Sequence, residues 1–407
     1  MPQLARRLVG GQACGLDVGI GRLLEAARVH QDPAYPLLVR LARARLVGLR
    51  ALLPLAALAT LTSGAALAQS SVTVYGRLNE SVERQKDGDT SITALQNNAS
   101  RIGFKGDEDL GNGLKAIWQV EQGVKIDGTG ASDTWATRNS FVGLSINDVG
   151  QVLLGQYDSA YKVLVVPVNP LGDGIADINV TTFSRANNRL KNSVHYYSPS
   201  WAGFKVGASY GFGEQQGTTR GSEWALAASY DIAGFNVAAG YTRKNNGLLG
   251  ASNNIGNAYN NTAWPVADQL IDANTHSSDA WKAVVKYAIA DTQIGAGFER
   301  IKVTDRASDS VSQNSWTIGA VQKFGAFGVG LAYVKINDIS GEFDNSGANQ
   351  WTLTGTYDLS KRTQAYAFYT RINNDEFSKI DFANNPIGGI GYGSNPTGFG
   401  LGLKHTF

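Results

Sequence analysis

Thr397-Gly-Phe-Gly-Leu-Gly-Leu-Lys-His-Thr-Phe407 is the stretch that decides the fold. Phe399, Leu401, Leu403, His405 and Phe407 share one side of a period-2 strand, and Gly398, Gly400, Gly402, Lys404 and Thr406 share the other. Terminal residues usually fray. A strand ending on an aromatic with no polar tail therefore points to pairing on both sides, as in a closed barrel whose last strand meets its first. A C-terminal edge strand of a soluble sheet gives the same alternation.

The same period recurs upstream. Val72, Val74, Gly76 and Leu78 oppose Thr73, Tyr75, Arg77 and Asn79. Ile102 and Phe104 oppose Arg101, Gly103 and Lys105; Leu114, Ala116, Trp118 and Val120 oppose Lys115, Gln119 and Glu121. Alternation alone is symmetric, since a water-soluble barrel and a membrane barrel differ only in which face points out. Connection lengths break the symmetry. Short turns are read at 106–112, 147–150, 198–203, 231–234, 290–292, 323–326 and 359–362. Longer polar stretches alternate with them, near 84–92, 127–133, 158–190, 213–221, 244–279, 303–312, 337–348 and 373–395. This spacing predicts about sixteen strands, tight turns on one side and long loops on the other, the arrangement of outer-membrane barrels. An even strand number closes the sheet antiparallel and pairs its backbone groups within the bilayer. Trp201, Phe204, Tyr230, Phe235, Phe324, Phe327 and Tyr357 bracket the short turns and fit an interfacial girdle.

Composition narrows the chemistry. Cys14 and Met1 are the only residues of their kinds in the 407-residue chain. No disulfide, thiolate nucleophile or Cys-ligated metal is open to residues 69–407, and His195, His276 and His405 are too scattered for a zinc motif. Residues 1–68 hold eight Arg against Asp17, Glu25 and Asp32, so the rest of the chain carries 28 basic and 31 acidic residues. The net charge of +2 thus argues for no nucleic-acid partner. Arg43, Arg45 and Arg50, the apolar run 51–61 and Ala66-Leu-Ala68 form the charged, apolar and cleavage regions of a signal peptide. The expected organisation is an N-terminal extension over 1–42 (or a start placed too early), a cleavable signal peptide over 43–68, and the barrel over 69–407.

Several stretches resemble the Gram-negative general porins, in particular the trimeric sixteen-stranded type of the β-proteobacteria. They are Ser71-Val-Thr-Val-Tyr-Gly-Arg-Leu78, Ser100 to Ala116 (SRIGFKGDEDLGNGLKA), Thr137-Arg-Asn-Ser-Phe-Val-Gly-Leu144, Arg185-Ala-Asn-Asn188, Asn192 to Pro199, and the terminal strand. The resemblance implies an all-β, sixteen-stranded antiparallel transmembrane barrel, a homotrimer in the outer membrane, with a third loop folded inward to constrict the lumen. That loop is 158–190, bent by Pro167, Pro170, Gly172 and Gly174. Carried over by motif, the basic wall is Arg77, Arg101, Lys105 and Arg138, with Arg185 and Arg189 closing it at the loop's return. Parity independently turns Arg77, Arg101 and Lys105 to the polar face. The loop acids implied are Asp173 and Asp177, with Asp158 where the loop begins. The run Val163-Leu-Val-Val166 is apolar where polar groups would fit that pattern.

Three functions remain distinct at this level. A passive channel for ions and small hydrophilic solutes needs only a wet, charged lumen, and an excess of basic wall over loop acids implies mild anion preference. A substrate-selective channel needs a tract such as an aromatic ladder, and none is visible in 158–190. An outer-membrane hydrolase needs a Ser/His/Asp constellation, and His195, among Tyr196 and Tyr197, reads as wall lining. No cofactor is implied.

Overall fold

The computed structural model describes residues 71–407, apart from 129–133, 215–220, 248, 250–276, 305–309 and 342–343. The expected extension and signal peptide lie outside the described residues, as does most of the stretch 244–279. In chain order the strands are β1 (Ser71–Asp87), β2 (Thr90–Asn97), β3 (Arg101–Gly111), β4 (Leu114–Gly123), β5 (Ser140–Ile146) and β6 (Gly150–Asp158). A one-turn helix α1 (Ala160–Leu164) precedes β7 (Arg189–Tyr197), β8 (Phe204–Gly211), β9 (Glu223–Ile232), β10 (Phe235–Lys244) and β11 (Ser277–Ile289). Then come β12 (Thr292–Thr304), β13 (Ser310–Phe324), β14 (Phe327–Ile336), β15 (Ala348–Asp358), β16 (Thr363–Asn374) and β17 (Thr397–Thr406).

Each strand from β3 to β16 pairs antiparallel with the next, and β1 lies between β17 and β3. The ring is a closed barrel of sixteen staves, β1 and β3–β17. Closure is made by the stretch that opened the sequence reading. Arg77 to Lys86 run against Thr406 to Thr397, and Gly76 and Phe407 exchange both backbone hydrogen bonds at 3.0 Å. The Phe407 ring lies where a Cβ on Gly76 would have to go.

The seven short turns fall where they are read from sequence. The first is tighter than expected: Asn112 and Gly113, both at positive φ, join β3 to β4 as a two-residue hairpin loop. One expected loop is corrected. Residues 84–92 are mostly strand, because β1 runs on to Asp87 and turns through Gly88 and Asp89 into β2. β2 pairs with the outer half of β1 as a seventeenth strand, an ear on the barrel. Asp87-Gly88 is a strong hairpin signal, and Ser81, Glu83 and Gln85 simply continue the inward parity of Asn79.

Burial settles the inside–outside ambiguity. Val72 is 64% exposed and Leu401 56%, whereas Lys282 and Glu299 are fully buried. Apolar side chains face outward and polar ones inward, the reverse of a water-soluble barrel. All seven aromatics expected near the short turns are exposed on the outer face. A second aromatic row lies toward the long-loop end of β8–β17. Cross-strand neighbours Tyr210 and Trp224, Tyr241 and Trp281, Phe298 and Trp316, Tyr333 and Trp351, and Tyr369 and Phe399 make it up.

Gly76→Ala should force the Phe407 ring aside and destabilise the barrel by roughly 1–3 kcal/mol, read as a lower urea midpoint in lipid vesicles. Gly355→Ala, whose Cβ would meet nothing within 4 Å, should stay within about 0.5 kcal/mol of the parent.

Candidate functional site

The long segment between β6 and β7, loop 3, turns into the barrel. Ser159 caps α1, its hydroxyl accepting from the Lys162 amide at 3.4 Å. The helix stops after one turn because Val166 precedes Pro167, which disfavours helical backbone at Val166. Loop 3 then follows the inner wall, and lumen-facing glycines mark its course. Leu164 packs at Gly207 of β8, Val165 at Gly240 of β10, and Val168 at Gly295 of β12 and Gly319 of β13. Pro170 packs at Gly330 of β14 and Ile175 at Gly398 of β17. A Cβ at any of these glycines would come within 3.0 Å of the loop. This accounts for the apolar run 163–166: Leu164 and Val165 press on the wall, while Val163 and Val166 remain exposed.

Polar anchors hold the loop's return. Glu299 of β12 accepts from the Arg185 amide at 2.8 Å and from the Tyr161 hydroxyl at 2.8 Å. Lys282 of β11 donates to Ser184 at 3.0 Å and Asn187 at 2.9 Å, with its ammonium 4.4 Å from the Tyr161 ring centre. These buried charges are bonded on several sides, as burial demands. The segment between β16 and β17, loop 8, folds in as well. Phe382, Ile380 and Ile387 pack in one cluster with Leu171, Ile175 and Ala176 of loop 3.

The tip of loop 3 meets the strands that open the barrel. Arg77 Nη2 lies 2.5 Å from Asp173 Oδ2. Beside this pair, Glu121 of β4 takes Arg138 Nε at 2.6 Å on one oxygen. Its other oxygen accepts the Tyr75 hydroxyl at 3.1 Å and lies 3.8 Å from Arg101 Nε. Lys105 stands lower on the wall, 5.2 Å from the Tyr75 ring centre. Where loop 3 begins, Asp158 joins Lys162 at 2.8 Å and Arg189 at 3.1 Å. Arg189 also donates to Asn139 at 2.7 Å.

The nine residues singled out from sequence thus divide. Arg77, Arg101, Arg138 and Asp173 come together, Lys105 stands below them, and Asp158 and Arg189 form a second group. Arg185 stands apart: it is buried behind the loop, its side chain donating to Gln313 of β13 at 2.7 Å. Asp177 is also turned away from the arginines. It accepts from Asn169 at 2.6 Å and from the amides of Asp173 at 2.9 Å and Asn179 at 2.8 Å, knitting the tip of the loop. Glu121 and Lys162 were not anticipated. Parity had turned Glu121 to the polar face, but its partners depend on the β3–β4 register, in which Gly103 opposes Glu121.

His195 is buried between Ser193 and Ser209, each 2.8 Å from a ring nitrogen. Ser209 in turn accepts the amide of Ala160 at 2.9 Å. The chain Ser193–His195–Ser209 tethers the start of α1 to the wall, and among the described residues no carboxylate is bonded to the imidazole. A Ser/His pair of this kind carries no charge-relay geometry.

A sequence profile of the Gram-negative porins matches residues 55–376. The chain belongs to the Gram-negative porin family. This porin is 29% identical over 374 residues to outer membrane porin protein 32 of Delftia acidovorans, covering 88% of this chain and 99% of that one. It is 30% identical over 322 residues to the major outer membrane protein P.IB of Neisseria meningitidis serogroup B, covering 75% of this chain and 89% of that one. In fold it resembles the anion-selective porin from Comamonas acidovorans, with a TM-score of 0.63, 24% identity, and coverage of 83% and 100%. OmpT of Vibrio cholerae in its trimer form gives 0.60 at 16% identity, with coverage of 83% and 99%. The porin is therefore an outer-membrane barrel of the channel-forming kind, as its sequence resemblance implied.

Burial, with the Asp173 carboxylate nearby, pushes the Asp177 carboxyl up to about 7. The value in the packed loop lies above that of a free Asp, so the unfolded chain loses its proton first as pH rises. The packed tip keeps this contribution whole below about pH 4 and loses it as pH rises through about 7. Hydrogen exchange of the loop 3 amides, corrected for intrinsic rates, should show weaker protection at about pH 8 than at about pH 5.5, and Asp177→Asn should flatten the difference.

Proposed function

We propose that this porin is a passive diffusion channel for ions and small hydrophilic solutes, constricted by loop 3 and mildly anion-preferring. The observation that carries the reading is the Arg77–Asp173 link between the first stave and the loop tip, with Arg101 and Arg138 beside it. Loop 3 covers the wall from β8 round to β17, which leaves the lumen open along the strands that carry these arginines. Guanidinium groups stay ionised even side by side, so Arg suits a crowded basic wall. Carboxylates facing them make a transverse field that orders water and sorts ions by sign. Three arginines stand against Asp173 and Glu121, with Lys105 below, so the excess of positive charge is small and the preference mild. The anion selectivity stated for the Comamonas acidovorans porin points the same way.

The constricted channel is a homotrimer in this reading. The trimer form of the Vibrio cholerae structure supports it, and so does an asymmetry of the outer face. The most exposed large apolar side chains of β1–β7, such as Val72, Val74, Leu144, Val152 and Leu154, are aliphatic, while Phe104 and Trp118 on the same face are only half-exposed. The upper aromatic row spans only β8–β17. Aromatics mark surfaces that meet the lipid headgroups, so the aliphatic sector is the side free for a neighbouring copy.

In planar bilayers the purified porin should open in steps grouped by three, with a reversal potential in a KCl gradient that favours chloride. Glu121→Gln should raise the chloride preference severalfold, and Arg101→Glu with Arg138→Glu should invert it. A cation-selective parent protein would overturn the charge reading. Leu144→Arg, a charge on the aliphatic sector, should move the porin from trimer to monomer on native gels while the barrel stays heat-modifiable. A trimer of unchanged strength would exclude this face.

A further inference from the structure

Beside the arginine wall, between the end of β4, the beginning of β3 and loop 8, lies an alcove of about 640 Å³. We propose that it is a binding subsite for phosphorylated sugars, from which they pass to the arginines of the constriction. The proposal rests on the channel reading and adds a solute class to it.

Two cations and a set of amides line the alcove, and no carboxylate lines it among the described residues. Arg138 bonds Glu121 through Nε, so its terminal nitrogens remain for a second anion. Lys125 is exposed and makes no ion pair within 4 Å among the described residues. The nearby acids Glu80 and Asp127 are not among the described lining residues, and the Glu80 carboxylate accepts from Asn97 at 2.7 Å. Guanidinium and ammonium together offer the donors that a phosphate monoester accepts. Arg138 belongs to the alcove and to the wall at once, so a phosphate held there already touches the next group on its route.

The rest of the lining reads hydroxyls. Gln122 donates to the Gly123 carbonyl at 2.8 Å and accepts the Thr137 amide at 3.2 Å. Asn385 donates to Asn98 Oδ1 at 3.3 Å, and Asn384 donates to the Gly174 carbonyl of loop 3 at 3.5 Å. These bonds fix the amides before any ligand arrives, so little ordering remains to be done on binding. Side-chain amides both donate and accept, which matches a polyol and not an alkyl chain. The volume lies within the usual range of small-molecule sites, about 300–1,000 Å³, and leaves ample room beyond a phosphate group for a sugar ring.

The test is current blockade in planar bilayers, with glucose 6-phosphate added on the long-loop side and glucose and inorganic phosphate as comparisons. Glucose 6-phosphate should interrupt the KCl current saturably, inorganic phosphate only at roughly tenfold higher concentration, and glucose not at all. Lys125→Glu alters an exposed side chain and leaves the barrel folded, and Asn385→Ala removes one fixed amide. Each should raise the half-blocking concentration roughly tenfold. Equal potency of inorganic phosphate and glucose 6-phosphate would overturn the sugar part, reducing the alcove to an anion site. Normal KCl current with no blockade, or blockade indifferent to both substitutions, would overturn the subsite. A wild-type protein that carries no KCl current would instead sink the channel reading beneath it.

Discussion

Inside a bilayer no water is available to an unpaired amide or carbonyl, and each one left open costs several kcal/mol. A sheet in that medium must have no edge. Here the requirement is met at one seam, where β17 lies along β1 and Phe407 exchanges its backbone bonds with Gly76. Gly76 has no side chain for a reason that is local and steric, since the terminal ring occupies that space. The inverted faces of the barrel, its girdles and its polar interior all presuppose this closed ring.

Closure leaves a lumen lined by alternate residues of sixteen strands, and loop 3 fills part of it on two different terms. Along its outward path it uses shape. Glycines at lumen-facing positions of β8, β10, β12, β13, β14 and β17 let Leu164, Val165, Val168, Pro170 and Ile175 lie against backbone. Along its return it uses charge, with Glu299 accepting the Arg185 amide and Lys282 donating to Ser184 and Asn187, and Glu299 also ties in Tyr161 of α1 at the loop's start. An unpaired charge at either position would be very costly, so the return path is held in one register. The tip is thereby delivered to Arg77, and the arginine wall faces a loop whose position is set from behind.

Much of this is legible in the residues. Parity puts Arg77, Arg101 and Lys105 on the polar face, and the alternation of short turns with long loops points to an outer-membrane barrel, in which that face lines the lumen. Three things were not legible, each for a physical reason. The β1–β2 ear was hidden because a polar alternation beyond the membrane looks like a loop, although Asp87-Gly88 announces the hairpin. Glu121 escaped because ion partners across strands follow from register, and register is a property of pairs. The family resemblance puts Arg185 at the loop's return beside the wall, but a motif does not fix which side of the loop a side chain takes. Its backbone amide is committed to Glu299 and its guanidinium to Gln313. The lumen-facing glycine row was in plain sight, and it marks the staves that loop 3 crosses.

A ring of hydrogen-bonded staves can flatten into an oval without breaking a bond, because bending the sheet costs far less than tearing it. Loop 3 removes that freedom. It is packed or bonded to β8, β10, β12, β13, β14, β15 and β17 and reaches Arg77 on β1, so it works as a strut between opposite sides of the ring. Lateral pressure from the surrounding lipid then meets a braced cross-section, and the opening keeps its shape as the bilayer around it is stretched or compressed.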